Sequence, residues 1–387
     1  MRKYLSYLLT LTLLLACQKE PLQEFQFPGE TLILFYTCGH DNGLDRNITG
    51  NLNEILEGSL PSIDSQSEVV HFLQHANGSA PRLLRLGAGQ GGKNTSREIQ
   101  LEEMRSWDEN SISISSDTLA QVLNYISRQY TARHNYLVLS SHGTGWLPAG
   151  TYDAGSAYTY KENTFGQDLQ GGRVVYEMGI RQMAGRLPMH FDAILFDACL
   201  MGGIEVAYEF RDKCRIMGFS PTEILAHGMY YQTMCSHLLA GDVLSVAQDY
   251  MKYYRNRSGL RSATYTLVDC GRLDGLADAC RTIFTGHREE MEAIQPALIQ
   301  GYFRDDHPWY FDLRNVAVHL QATDGELDAL DKALGQAVLF ADHTDYFLGL
   351  KLENCCGLST YLPACGNRSL NTYYRPYKWN QDTQYLE

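Results

Sequence analysis

Two short apolar runs, each closing on a reactive side chain, constrain this chain more than any other feature. Asn135 to Ser141 (NYLVLSS) leads into His142 and Gly143, and Phe191 to Ala198 (FDAILFDA) leads into Cys199. Runs of this length read as buried strands, and two strands that each deliver a polar residue past their carboxyl ends can meet at one sheet edge. A thiol and an imidazole would then face each other. Cysteine attacks best as its thiolate, and a positioned histidine can hold that charge, act as base and later protonate a leaving amine. Taken singly, a cysteine after an apolar run is most simply a core residue, and a histidine at a strand end a satisfied polar cap. Taken together, with glycine beside the histidine and Asp197 two positions before the cysteine, they point to catalysis.

Strand-like and helical patterns alternate around these runs. Leu32 to Thr37 reads as a strand followed by a polar loop, and Asp117 to Arg128 as a helix with Leu119, Val122, Leu123 and Ile126 on one face. Val174 to Leu187 is expected to be a helix ending near Pro188, Ala193 to Phe196 a strand, Leu200 to Arg211 a helix and Arg215 to Phe219 a strand. Helix Val243 to Tyr254, strand Thr264 to Val268 and helix Leu273 to Phe284 continue the pattern. The tail from Glu289 reads as mainly helical, with a late strand near Leu358 to Tyr361. Repeated strand and helix imply an α/β fold whose mostly parallel sheet is covered on both faces.

If strand geometry holds through Cys199, Asp197 and Cys199 share a face and one pocket. A helix starting at Leu200 would place its partial positive charge beside the thiol and offer backbone N–H groups to an oxyanion. Gly143 lacks a side chain, so its backbone could approach a substrate carbonyl and donate as well. Between Gly145 and Gly172 lies a long polar interruption whose one basic residue is Lys161. Long structureless loops are usually functional or disordered, and this one falls between the His and Cys segments.

The amino terminus reads as a processing signal. Arg2 and Lys3 precede a short apolar segment, Leu5 to Leu15, and Leu14-Leu15-Ala16-Cys17 resembles the lipobox of bacterial lipoproteins, in which the cysteine becomes the acylated first residue. Residues 1–16 are then a signal peptide, 17–29 a tether, 30–285 a core and 286–387 a C-terminal extension, on a chain exported and lipid-anchored to a bacterial membrane. The net charge of −13, with no Lys/Arg cluster, gives a nucleic-acid partner no electrostatic support; a cationic substrate suits it better. Ten cysteines in 387 residues show no framework spacing, and no obligatory disulfide is expected.

Leu137-Val138-Leu139-Ser140-Ser141-His142-Gly143 and Ile194-Leu195-Phe196-Asp197-Ala198-Cys199-Leu200-Met201 resemble the His and Cys motifs of the clostripain family of cysteine peptidases. The resemblance extends to Phe165-Gly166-Gln167-Asp168, Glu205-Val206-Ala207-Tyr208-Glu209 and Ser220-Pro221-Thr222-Glu223. It implies the αβα sandwich shared with caspases, legumains and gingipains, with a mostly parallel central sheet and a mainly helical C-terminal extension. His142 becomes the general base and acid, Cys199 the nucleophile, and the backbone amides of Gly143 and Cys199 the oxyanion donors.

By the same resemblance Asp197 lines the pocket for the residue before the scissile bond and selects Arg or Lys; capping of the following helix is its other reading. Asn42, in the turn Cys38-Gly39-His40-Asp41-Asn42, is a candidate substrate contact, although Asp41 and Asn42 are equally good turn formers. Glu223 to Tyr231 (EILAHGMYY) occupies the place of a pocket loop, where His227 and Met229 affect depth. Self-cleavage between the two motifs points to Lys161. Some relatives need calcium, but no Asp-x-Asp-x-Asp-Gly loop occurs, so no metal site is assigned and no cofactor is required. The expected partners are peptides with Arg or Lys at the cleaved position, and the expected state is a monomer. A peptidase-like transpeptidase and a catalytically inactive peptide-binding lipoprotein are the alternatives.

Overall fold

The apolar runs assemble into one nine-stranded sheet. The computed structural model describes residues 27–39, 43–62, 65–75, 80–89, 93–98, 114–148, 165–170, 173–303 and 309–386. In chain order its elements begin β1 (Phe27–Gly39), α1 (Asp45–Glu57), β2 (Glu68–His75), β3 (Arg82–Ala88), β4 (Asn94–Glu98), α2 (Ser116–Gln129), β5 (Tyr130–Ser140), β6 (Phe165–Gln170), β7 (Arg173–Met178), α3 (Ile180–Arg186), β8 (Phe191–Asp197), α4 (Ile204–Phe210) and β9 (Cys214–Phe219). They continue through α5 (Tyr231–Leu239), α6 (Val243–Asn256), β10 (Thr264–Asp269), α7 (Leu273–Gly286), α8 (Arg288–Ala293), β11 (Phe311–Asp312), α9 (Leu313–His319), α10 (Asp324–Ala337), β12 (Val338–His343), β13 (Tyr346–Phe347), β14 (Leu350–Lys351), β15 (Ser359–Thr360), α11 (Arg368–Tyr374) and α12 (Lys378–Thr383).

The sheet order is β12-β10-β9-β8-β5-β1-β2-β3-β4, parallel from β9 to β2 and antiparallel at both margins. Alternation along the central strands divides their side chains between two cores. Leu34, Tyr36, Leu137, Leu139, Ile194 and Phe196 face one core with α2, α3, α4 and α7, while Ile33, Phe35, Tyr136, Val138, Ala193 and Leu195 face the other with α1, α5 and α6. Strands buried on both faces must be apolar throughout, which is why the runs carry no polar alternation.

Several boundaries differ from the sequence reading. Val174 to Leu187 is not one helix. Its β-branched and aromatic start forms β7, paired with β6, and only Ile180–Arg186 is helical after Gly179. The long loop therefore ends at Phe165. Helix α1 replaces the polar loop expected after β1, burying Ile48 and Ile55 at helical spacing. Strand β1 starts at Phe27, inside the segment expected to be a tether. The tail also adds β12 to the sheet's edge, antiparallel to β10. The signal peptide, Cys17, His40, Asp41, Asn42 and Lys161 lie outside the described residues.

Helix α4 joins the sheet to the C-terminal region. Glu205 is fully buried, and its Oε1 accepts hydrogen bonds from Thr360 Oγ1 (2.9 Å), the Tyr361 backbone N–H (2.9 Å) and the Tyr374 hydroxyl (2.8 Å). Four residues on, Glu209 Oε1 accepts from the Lys378 backbone N–H at 2.7 Å. Burial pushes the Glu205 carboxyl above its usual range despite these donors. Among the described residues the cysteines are free, with the buried Cys214 and Cys270 sulfurs 3.6 Å apart. No described helix is long and apolar enough to cross a membrane.

Candidate active site

Strands β5 and β8 are adjacent and parallel, and Ser140 lies opposite Asp197 at their carboxyl ends. His142 and Cys199 each follow two residues later, both partly exposed and both lining one cavity of about 240 Å³. Ser141 anchors the His side: its hydroxyl donates to the Cys38 carbonyl at the end of β1 (2.6 Å), and its backbone N–H to the Asp197 carbonyl (3.3 Å). Gly143 forms an isolated antiparallel bridge to Phe165. A Cβ at Gly143 would lie 2.6 Å from the Cys199 carbonyl oxygen and 3.0 Å from Ala198 Cβ. Glycine is needed here for the two loops to touch.

The Cys side is a turn, not a helix start. Leu200 has φ +60°, and helix α4 begins only at Ile204 with Gly203 as its cap. The Cys199 thiol is therefore not at the amino terminus of α4, and Asp197 does not cap it. Glycines interrupt the expected Leu200–Arg211 helix: a Cβ at Gly202 would collide with the Pro221 backbone. The turn is held instead by the Ser220–Glu223 segment, with Leu200 N–H donating to the Thr222 carbonyl (2.9 Å) and Gly202 N–H to the Ser220 carbonyl (2.8 Å). The Ile224 backbone N–H lies 3.3 Å from Cys199 Sγ and points to it as a donor. The Ile224 carbonyl lies 3.6 Å from the same sulfur as an acceptor, so the Ile224 backbone meets Cys199 Sγ in both roles.

Asp197 forms the floor of the cavity. Only 5% exposed, it accepts hydrogen bonds from the Tyr231 hydroxyl (2.6 Å), the Ser140 hydroxyl (3.2 Å) and the Met229 backbone N–H. Burial outweighs these donors and pushes its carboxyl above the usual range. No Lys or Arg is among the described residues lining this cavity. The Glu223–Tyr231 stretch forms a wall as expected: Glu223, Ile224, Leu225, Ala226 and Gly228 line it, Met229 packs behind, and His227 turns toward Glu54 (3.6 Å). Burial and nearby Arg257 hold the His227 imidazole below its usual range.

Gly228 has φ +77°, and a Cβ there would lie 2.5 Å from Asp197 Oδ2. Gly228→Ala is therefore expected to block the floor and strain the backbone. Thermal melts should show the variant destabilised by about 1–3 kcal/mol; an unchanged midpoint would mean that the loop relaxes around the added Cβ.

Other lining residues were not apparent from sequence. Asn47, Ile48 and Asn51 come from α1, and Leu348 comes from the turn between β13 and β14. Ile48, Leu52 and Ile55 carry the helical spacing that would have located α1. Leu348, far along the chain in a short hairpin, carries no such signal. Among the described residues no group of three or more His, Cys, Asp or Glu side chains could hold a metal ion, so no residues are assigned to calcium.

The model of the clostripain family, Peptidase_C11, matches residues 35–386. An inactive zymogen C11 protease from Parabacteroides distasonis is 27% identical in sequence; the match covers 92% of this chain and 98% of that one, with a TM-score of 0.76. A secreted C11 cysteine protease from Bacteroides thetaiotaomicron, solved with an irreversible peptide inhibitor, is 24% identical over 92% of this chain and 100% of that one, with a TM-score of 0.77. That second likeness is one of fold. No curated protein matches the chain significantly.

Proposed function

The chain belongs to the clostripain family of cysteine peptidases, and from that premise we propose that it is an endopeptidase cutting after Arg or Lys, with Cys199 as nucleophile and His142 as general base and acid. One observation carries the specificity: a buried carboxylate, Asp197, floors the same cavity that His142 and Cys199 line, with neutral donors around it. An entering guanidinium or ammonium supplies a full opposite charge, which no Lys or Arg among the described lining residues provides. A charge-assisted hydrogen bond of this kind contributes roughly 1.5–3 kcal/mol.

In this reading the Cys199 thiolate attacks the scissile carbonyl while the Gly143 and Cys199 backbone amides receive the developing oxyanion. His142 protonates the leaving amine, the C–N bond breaks, and a thioester remains. Water, deprotonated by His142, then hydrolyses that thioester and restores the thiol. Apolar side chains at the cavity, Ile48, Ile224, Leu225 and Leu348, flank the acidic floor. The experiment is labelling with an irreversible thiol reagent carried on a peptide ending in Arg. Peptide mapping should find it on Cys199; an unlabelled Cys199 in folded, processed protein would reject the reading.

Self-processing at Lys161 belongs to the same proposal. In sequence the segment 149–164 connects Pro148 to Phe165, and Phe165 bridges Gly143 beside the site. Lys161→Ala should abolish the cut between residues 150 and 172, and persistence of a cut there would exclude this residue. Asn42 is proposed as a further substrate contact. We also propose a monomer, exported and anchored through Cys17, which Cys17→Ser should release from the membrane fraction.

A further inference from the structure

We infer that the hydroxyl groups of Tyr310 and Tyr377 position His142 by holding the chain just behind it, which makes the C-terminal region a working part of the active site. The inference rests on the Cys199–His142 reading above. Beyond Gly143, which bridges Phe165, the chain leaves strand pairing, so the carbonyls of the buried Thr144 and Trp146 need donors from elsewhere. Tyr310 donates its hydroxyl to the Thr144 carbonyl at 2.6 Å, and Tyr377 donates to the Trp146 carbonyl at 2.7 Å. Thr144, Trp146, Tyr310 and Tyr377 are all fully buried. Both phenols thus grip backbone two and four residues past His142.

The turn they grip has little freedom. Gly145 has φ +63°, and a Cβ there would lie 2.5 Å from the Leu200 carbonyl oxygen and 3.4 Å from the Tyr310 ring. The Trp146 indole packs on Tyr361 and Tyr374, with ring centroids 4.5 and 5.1 Å away. Strand β15, just before Tyr361, also fixes the other catalytic loop: the Ser359 N–H donates to the Gly202 carbonyl at 2.9 Å. One C-terminal assembly therefore holds the chain behind the imidazole and the chain behind the sulfur. Misplacing a reacting group by about 1 Å from a remote site can lower the rate about a hundredfold.

Processed wild-type protein should be compared with Tyr310→Phe and Tyr377→Phe, which keep the ring and remove the donor. Tyr208→Phe is the control. Its buried hydroxyl also ties the core to the C-terminal region, through Asp382 at 2.6 Å, and touches neither loop. The expected result is a fall in kcat of about ten- to a hundredfold for each grip variant, with KM held within about twofold. The pH profile of Cys199 alkylation should also shift, because the imidazole partner is displaced, while Tyr208→Phe leaves kcat and the profile in place. Unchanged kcat and pH profile in both grip variants would overturn the inference, as would an equal loss in the control. If near-UV circular dichroism shows that one grip variant is unfolded, the other decides; unfolding of both would make the phenols structural and also overturn it. A wild-type protein inert toward basic peptides would count against the peptidase reading itself.

Discussion

Cys199→Ala is expected to lower kcat/KM on Arg and Lys peptide substrates by at least about 10⁴-fold, because no other thiol is among the described residues lining the cavity. Folding should barely change. Cys199 is only partly buried and sits in a turn fixed by backbone bonds from Leu200 and Gly202, so the stability difference should stay within about 1 kcal/mol. His142→Ala should give a comparable loss, and the double variant should be little worse than either, since two groups acting on one covalent step are not additive. Stopped assays on refolded, melt-checked protein distinguish these outcomes. Substantial amide hydrolysis by Cys199→Ala would assign the nucleophile elsewhere.

Asp197→Asn is expected to change specificity more than folding. The amide preserves shape and can still accept a bond from Tyr231 or Ser140, but it offers an incoming cation no charge. Loss of the charge-assisted bond should reduce kcat/KM for Arg and Lys substrates by about 10- to 100-fold, with less effect on neutral ones. The pH dependence has a definite sign. Burial raises the Asp197 carboxyl above its usual range, and a bound guanidinium favours its ionised form and lowers it again. Binding therefore releases a proton. The affinity of a small guanidinium inhibitor such as agmatine should rise as pH increases through the raised Asp197 value and level off above it. The Asn variant should lack this dependence. A pH-independent affinity in the wild type would place the cation away from Asp197.

The parts of the site that could be read from sequence are those whose surroundings demand one kind of residue. β5 and β8 are buried on both faces, so their apolar runs show as runs, and the residues past their ends follow directly. The strand ends bring Ser140 and Asp197 opposite each other as that reading requires. The turn after Cys199 was less legible, because Leu200 to Arg211 is rich in helix-forming residues while contacts from Ser220 and Thr222 hold Leu200 and Gly202 out of a helix. Tertiary context overrode local propensity. The socket floor required Tyr231 and Gly228, which belong to the Glu223–Tyr231 stretch, yet which of its residues face Asp197 depends on the positive φ of Gly228. Leu348, Tyr310 and Tyr377 come from far along the chain and reach the site through packing, which no local pattern encodes. Strand β12 was hidden for a related reason: its residues alternate between half-buried and exposed at an edge, giving a weaker signal than a central strand.

The most direct measurement is a peptide library digested by processed wild-type and Asp197→Asn protein, with cleavage positions read by mass spectrometry. A sulfur poised above a carboxylate-floored socket predicts cuts after Arg and Lys by the wild type and loss of that preference in the variant. Wild-type cuts without basic residues at the cleaved position, or an intact basic preference in Asp197→Asn, would contradict it.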